Sequence, residues 1–152
     1  MAWPRSNSQQ PLRVQLKATP EDFVVRERLG ISPSGEGEHL LVELEKVNVG
    51  SPALARMLAE AHGIDHVDVG YAGMKDRHAV AEQTFSVPFP ESREPRDLLH
   101  LSLEDMEVLD AVRHPHKLRT GHLLENRFKI VLRGIDVESM EQVQRALSDA
   151  EE

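Results

Sequence analysis

With 152 residues, 39% hydrophobic and 29% charged, the sequence has the size of one ordinary domain and enough apolar material for a single core, which excludes wholesale disorder. It contains no cysteine, so a disulfide framework, a thiolate metal site and a cysteine nucleophile are all excluded, in keeping with a cytoplasmic location. The net charge of −8 argues against indiscriminate polyanion binding, and no run approaches the roughly 18 apolar residues of a membrane span, so the chain reads as soluble.

The first eleven residues, MAWPRSNSQQP, lack the apolar run of a signal peptide and read as a flexible arm ahead of a single unit over 12–152. Val14 and Leu16 alternate with polar neighbours, and Phe23-Val24-Val25 opens a second β-prone run to Leu29, joined to the first through Thr19-Pro20-Glu21. Ser32–Glu38 carries the glycines and proline of a loop. His39–Val47 then alternates Val42 and Leu44 with Glu43 and Glu45, the pattern of a half-exposed strand. Ser51-Pro52 supplies an N-cap and a first-turn proline for a helix with Leu54, Met57, Leu58 and Ala61 on one face and Gly63 as its stop.

Val67–Ala72 reads as a buried strand running into the loop Gly73–His78, and Gln83–Val87 as another strand. Pro88–Asp97 is a Pro- and charge-rich surface connection. Met106–Val112 and Phe128–Leu132 give two further strands, and Asp136 caps a last helix carrying Val137, Met140, Val143 and Leu147. Strands interrupted by two widely spaced helices predict an α+β domain with a mixed, mainly antiparallel sheet and flanking helices. If the sheet is an incomplete half, its last strand leaves an unpaired edge through which the chain would self-associate.

The charge is unevenly spread. From Arg113 to Arg133 six Lys or Arg residues and three histidines face a single acid, Glu125, whereas the chain beyond Gly134 is acidic. Asp76 is the most informative carboxylate: it sits in a loop after a strand, between Lys75 and Arg77, where adjacent cations favour its ionised form. An ionised carboxylate serves as nucleophile or base at a glycosidic carbon, although the same residues also compose an ordinary solvated turn. His114-Pro115-His116 has neither helical ligand spacing nor a third ligand nearby, and the Gly35 and Gly37 loop lacks the GK[ST] of a phosphate loop. Neither a metal nor a nucleotide cofactor is expected. Phe23 and Phe128 fit core positions or base-stacking platforms, and Asn126 fits a turn or a base-edge reader.

Gly70–Val80, GYAGMKDRHAV, closely resembles the active-site motif of TruD-family tRNA pseudouridine synthases. Lys17–Val25 is similar to that family's first motif, Pro33–Leu40 to its second, and Lys117–His122 with Asn126-Arg127-Phe128 to its later basic motif, in the same order and spacing. Two positions depart from the pattern: Glu125 stands where the family commonly has glycine, and Thr84 where tryptophan is frequent.

The resemblance implies cofactor-free isomerisation of uridine in tRNA, typically at position 13, to pseudouridine. It makes Asp76 the catalytic carboxylate, Phe128 the aromatic against the target base, and Lys17, Phe23 and Asn126 lining or supporting residues. The target base would be flipped from its stack, and Lys75, Arg77, Lys117, Arg119 and Arg127 would hold RNA backbone. The family's C-terminal catalytic motifs and inserted domain lie outside these 152 residues, so a noncatalytic RNA-binding or self-associating fragment is the alternative expectation.

Overall fold

The computed structural model describes residues 13–95 and 105–148, so the expected N-terminal arm and the far end of the Pro88–Asp97 connection lie outside the described residues. The elements are β1 (Gln15–Leu16), β2 (Phe23–Leu29), β3 (His39–Val47), α1 (Ser51–His62), β4 (Gly70–Tyr71), β5 (Val80–Pro88), β6 (Met106–His114), β7 (Leu123–Ile130), β8 (Leu132–Arg133) and α2 (Val137–Ser148). Five strands form a sheet in the order β6-β3-β5-β2-β7, with β4 added to β5 as the sixth, while β1 and β8 make a separate two-stranded ladder. β2 and β5 run parallel, and the other strand pairs are antiparallel. This is the mixed, mainly antiparallel α+β arrangement that the sequence predicts.

β3 pairs with β5 from His39 to Val47 and with β6 from His39 to Lys46, and its alternation decides the core. Leu40, Val42 and Leu44 share one face with Phe85 and Val87 of β5, and Leu54, Ala55, Leu58 and Ala59 of α1 pack onto that face. Leu54 and Leu58 are fully buried, so truncating either to alanine costs about 2–5 kcal/mol. Helix α1 covers the β6-β3-β5 half only. On β7 the alternate residues Leu124, Phe128 and Ile130 are exposed, as are Leu16 and Leu132 of the small ladder. Among the described residues β7 has β2 as its only partner in the large sheet.

Several local expectations change. Ser51 is not the N-cap: Gly50 holds that position, and the Ser51 hydroxyl is buried and bonded elsewhere. The strand expected over Val67–Ala72 shrinks to two residues, because the Asp65 side chain accepts the Val67 amide and winds His66–Asp68 into a 3-10 turn. The last large strand begins at Leu123 rather than Phe128, since β2 offers pairing partners along its whole length. Gly63, with φ +66°, ends α1 in the left-handed conformation, and Asp136 accepts the Ser139 amide at 2.7 Å to cap α2, both as expected.

Candidate active site

Residues 73–79 cross the sheet at the border between the half covered by α1 and the open half. The β-sheet register explains what they meet there. Lys46, Ala81, Val25 and Phe128 are successive partners across β3, β5, β2 and β7, so they share one face. Phe23 and Asn126 lie on that face too, since strand alternation places Phe23 with Val25, and Asn126 with Phe128.

Asp76 is half exposed on this border, and Lys17 donates to its Oδ2 at 3.0 Å. Lys17 takes a left-handed backbone conformation, φ 55°, which turns the chain between β1 and β2. Its Nζ lies 3.8 Å from the centroid of the Phe23 ring, and Phe23 in turn sits 5.8 Å, tilted by 60°, from Phe128. Thus Asp76, Lys17, Phe23 and Phe128 form a continuous chain of contacts. Phe23 is buried, whereas the Phe128 ring is 53% exposed. Asn126 Oδ1 is buried and accepts no hydrogen bond among the described residues.

The loop that carries Asp76 rests on buried polar groups. The Lys46 ammonium donates to the carbonyls of Val49 at 2.7 Å and Asp76 at 3.0 Å. Burial pushes Lys46 down to about 8, against the opposing attraction of Asp76 and with a smaller push from Lys75. Ser51 Oγ accepts the Lys75 amide at 3.0 Å and donates to Gln83 Oε1 at 2.7 Å, while Gln83 Nε2 donates to Gly73 O at 2.7 Å. The Lys75 ammonium lies 2.5 Å from Glu27 Oε2, both side chains being almost wholly buried. Arg77 Nε donates to Asn48 O at 3.2 Å, and His78 Nδ1 lies 2.9 Å from Asn48 Oδ1.

The expected RNA contacts divide. Lys75 has 3% of its side chain exposed and its ammonium paired with Glu27. Arg77 and Arg119 are exposed, as is Arg127, whose β7 position points to the face opposite Phe128. Lys117 donates to the Val67 carbonyl and packs at Gly70, where the backbone of Leu118 leaves no room for a Cβ. Gly70 pairs with Ser86, six residues along β5 from the Val80 end near Asp76, so this basic loop is roughly 20 Å from the carboxylate. Among the described residues no three His, Asp or Glu side chains converge on a metal-sized site.

Sequence reasoning missed Glu27, Lys46, Ser51 and Gln83. A signal existed for Lys46, which shares the parity of Leu40, Val42 and Leu44 in β3 and is therefore a charge at an inward position. Nothing comparable marks Gln83 or Ser51, whose partners are remote in the chain.

Residues 5–152 match the family model for tRNA pseudouridine synthase D. The chain belongs to the TruD family. It is 41% identical over 133 residues to the tRNA pseudouridine synthase D of Methylococcus capsulatus, covering 88% of this chain and 37% of that protein. Its fold superimposes with a TM-score of 0.81 on the crystal structure of a putative tRNA pseudouridine synthase D from Methanosarcina mazei, at 28% identity, over 95% of this chain and 33% of that one. The chain therefore spans about a third of the length of the TruD proteins it matches.

Proposed function

We propose that this chain contributes the catalytic carboxylate, Asp76, to an enzyme that isomerises uridine to pseudouridine in tRNA, with the site and partner that the TruD resemblance implies: position 13 of a tRNA, in the cytoplasm. The observation that carries the reading is the Asp76–Lys17 pair beside two phenylalanines in tilted contact, one of them open to solvent. The ammonium, 3.0 Å away, orients the carboxylate that would attack the sugar or remove a sugar proton.

The exposed Phe128 ring offers a flipped base a stacking surface, and the unpartnered Asn126 Oδ1 offers an acceptor for the N3–H of uracil. Isomerisation breaks the bond from N1 to C1′ and forms one from C5 to C1′; the C5 proton leaves, and N1 takes up a proton. No electrons are gained or lost, so the reaction calls for no redox cofactor. Arg77, near the carboxylate, and Arg119, in the distant basic loop, are suited to contacting separate stretches of one RNA backbone.

The test is release of tritium from tRNA labelled at C5 of uridine by the full-length protein. Release at one site per tRNA supports the reading, and none from any unmodified tRNA overturns it.

A second reading concerns the 152-residue chain by itself. Among the described residues β7 is paired on one side only in the large sheet, and with Leu124, Phe128 and Ile130 exposed it favours self-association through that edge, a noncatalytic RNA-binding unit being the function left to such an assembly. Sedimentation of the isolated chain as a monomer at all concentrations would refute the self-association.

A further inference from the structure

Among the described residues the Asp76 side chain has one side-chain hydrogen-bond partner, Lys17, and it is half exposed. Its own contacts are therefore too few to fix where the carboxylate points. The backbone beneath it is held much more firmly, and by groups that a core would not ordinarily contain. Lys46 is the largest fully buried side chain in the described structure, yet it forms no ion pair within salt-bridge distance there; its ammonium is spent on two backbone carbonyls. A buried charge without a carboxylate partner weakens the fold, and a Leu or Met at the same inward position of β3 would pack without that cost. Ser51 is likewise fully buried at the first turn of α1, where its hydroxyl would ordinarily serve the helix. Instead it reaches the loop.

The two contacts bracket the reacting residue. Ser51 holds the amide that enters from Lys75, and Lys46 holds the carbonyl of Asp76 itself. Lys46 comes from the end of β3 and Ser51 from the start of α1, on either side of the turn where Asn48 receives Arg77 and His78. Gln83 and Glu27 fix the approach to the bracket, at Gly73 and at the Lys75 side chain. Local rules of burial are broken at several linked positions, all of them beneath one exposed carboxylate.

We propose that Lys46 and Ser51 are positioning residues for Asp76: by clamping the 75–76 backbone to the end of β3 and the start of α1 they hold the carboxylate in the orientation from which it meets the sugar. The inference rests on Asp76 being the catalytic carboxylate. Displacing a reacting group by about 1 Å costs on the order of 100-fold in rate, so the clamp acts on turnover and not on tRNA affinity.

The test uses the full-length protein with Ser51→Ala, a small change suited to a buried site, and Lys46→Met, each compared with wild type for kcat, KM and amide hydrogen exchange. The expected result is a kcat lowered about 10- to 100-fold in each variant, with KM for tRNA within about threefold, and faster exchange confined to residues 73–79. Wild-type kcat per folded molecule in Ser51→Ala would overturn the role of Ser51. The same result in Lys46→Met, or activity lost only in proportion to the unfolded fraction, would overturn the role of Lys46. Should Lys46→Met not fold, Lys46→Gln, whose amide is one atom too short to reach both carbonyls, is held to the same kcat criterion. Full activity in Asp76→Ala would instead refute the catalytic assignment on which the proposal stands.

Discussion

Lys17 and Asp76 are 59 residues apart in sequence, yet the Lys17 ammonium lies 3.0 Å from the Asp76 carboxylate and also over the Phe23 ring. The strand pairing brings them together: β2 lies beside β5, and the residues just before each strand meet at one end of the sheet. The pair is partly solvated, so it contributes about 0–1 kcal/mol to folding. Its value is local. Lys17→Met is expected to leave the unfolding midpoint nearly unchanged and to slow conversion of uridine by about 100-fold or more, the scale of removing one charged donor from a reacting centre. Thermal melts and single-turnover assays of the same preparation check both halves.

Phe128 separates stability from substrate handling in a different way. Its ring is half exposed and, among the described aromatic side chains, contacts Phe23 alone, so Phe128→Ala costs about 1 kcal/mol of stability. Stacking of a base on an aromatic ring is worth about 1–3 kcal/mol, so conversion falls by roughly 5- to 150-fold. Phe128→Tyr, which keeps the ring face, retains most of the activity.

Asp22 gives the fold a dependence on acid. Two 2.7 Å hydrogen bonds from Arg133 hold its carboxyl below the usual value of 3.8, against the opposing effect of burial. Because the folded value is depressed, this stabilisation is present above the unfolded pKa and is lost as pH falls through the folded one. Urea unfolding of wild type and Asp22→Asn should therefore differ at neutral pH, and the difference should shrink below pH 3.8.

Lys46 acts with the opposite sign. Its folded pKa of about 8 lies below the unfolded 10.5, so between those values the unfolded chain binds more protons and stability rises with pH. Measured relative to Lys46→Met, wild type should gain about 1.4 kcal/mol per pH unit across that window, on the order of 3 kcal/mol in all. A flat difference between pH 8 and 10.5 would contradict the burial of this charge.

The sequence was most legible where a feature is local. Alternation in β3, the helical stripe of Leu54 and Leu58, Gly63 at the end of α1 and Asp136 ahead of α2 each depend on residues within a turn or two of one another. The motif around Asp76 was legible through resemblance, whereas its neighbours in composition suggested equally a solvated turn. What stayed hidden depends on strand order. Lys75 beside Asp76 reads as a second cation for RNA until β2 is placed beside β5 and Glu27 takes its charge. Ser51 reads as a helix cap for the same reason, because Gln83 lies 32 residues away. Arg127 and Phe128 are adjacent in sequence, and only the β7 pleat sends them to opposite faces.

The most direct test of the central claim is the rate at which full-length protein carrying Asp76→Asn converts uridine in unmodified tRNA, measured alongside its circular dichroism and its tRNA affinity. Asparagine preserves the shape of the side chain and removes its charge. Asp76→Asn is expected to fold, to bind tRNA with nearly wild-type affinity and to form no pseudouridine. Conversion at the wild-type rate would contradict it.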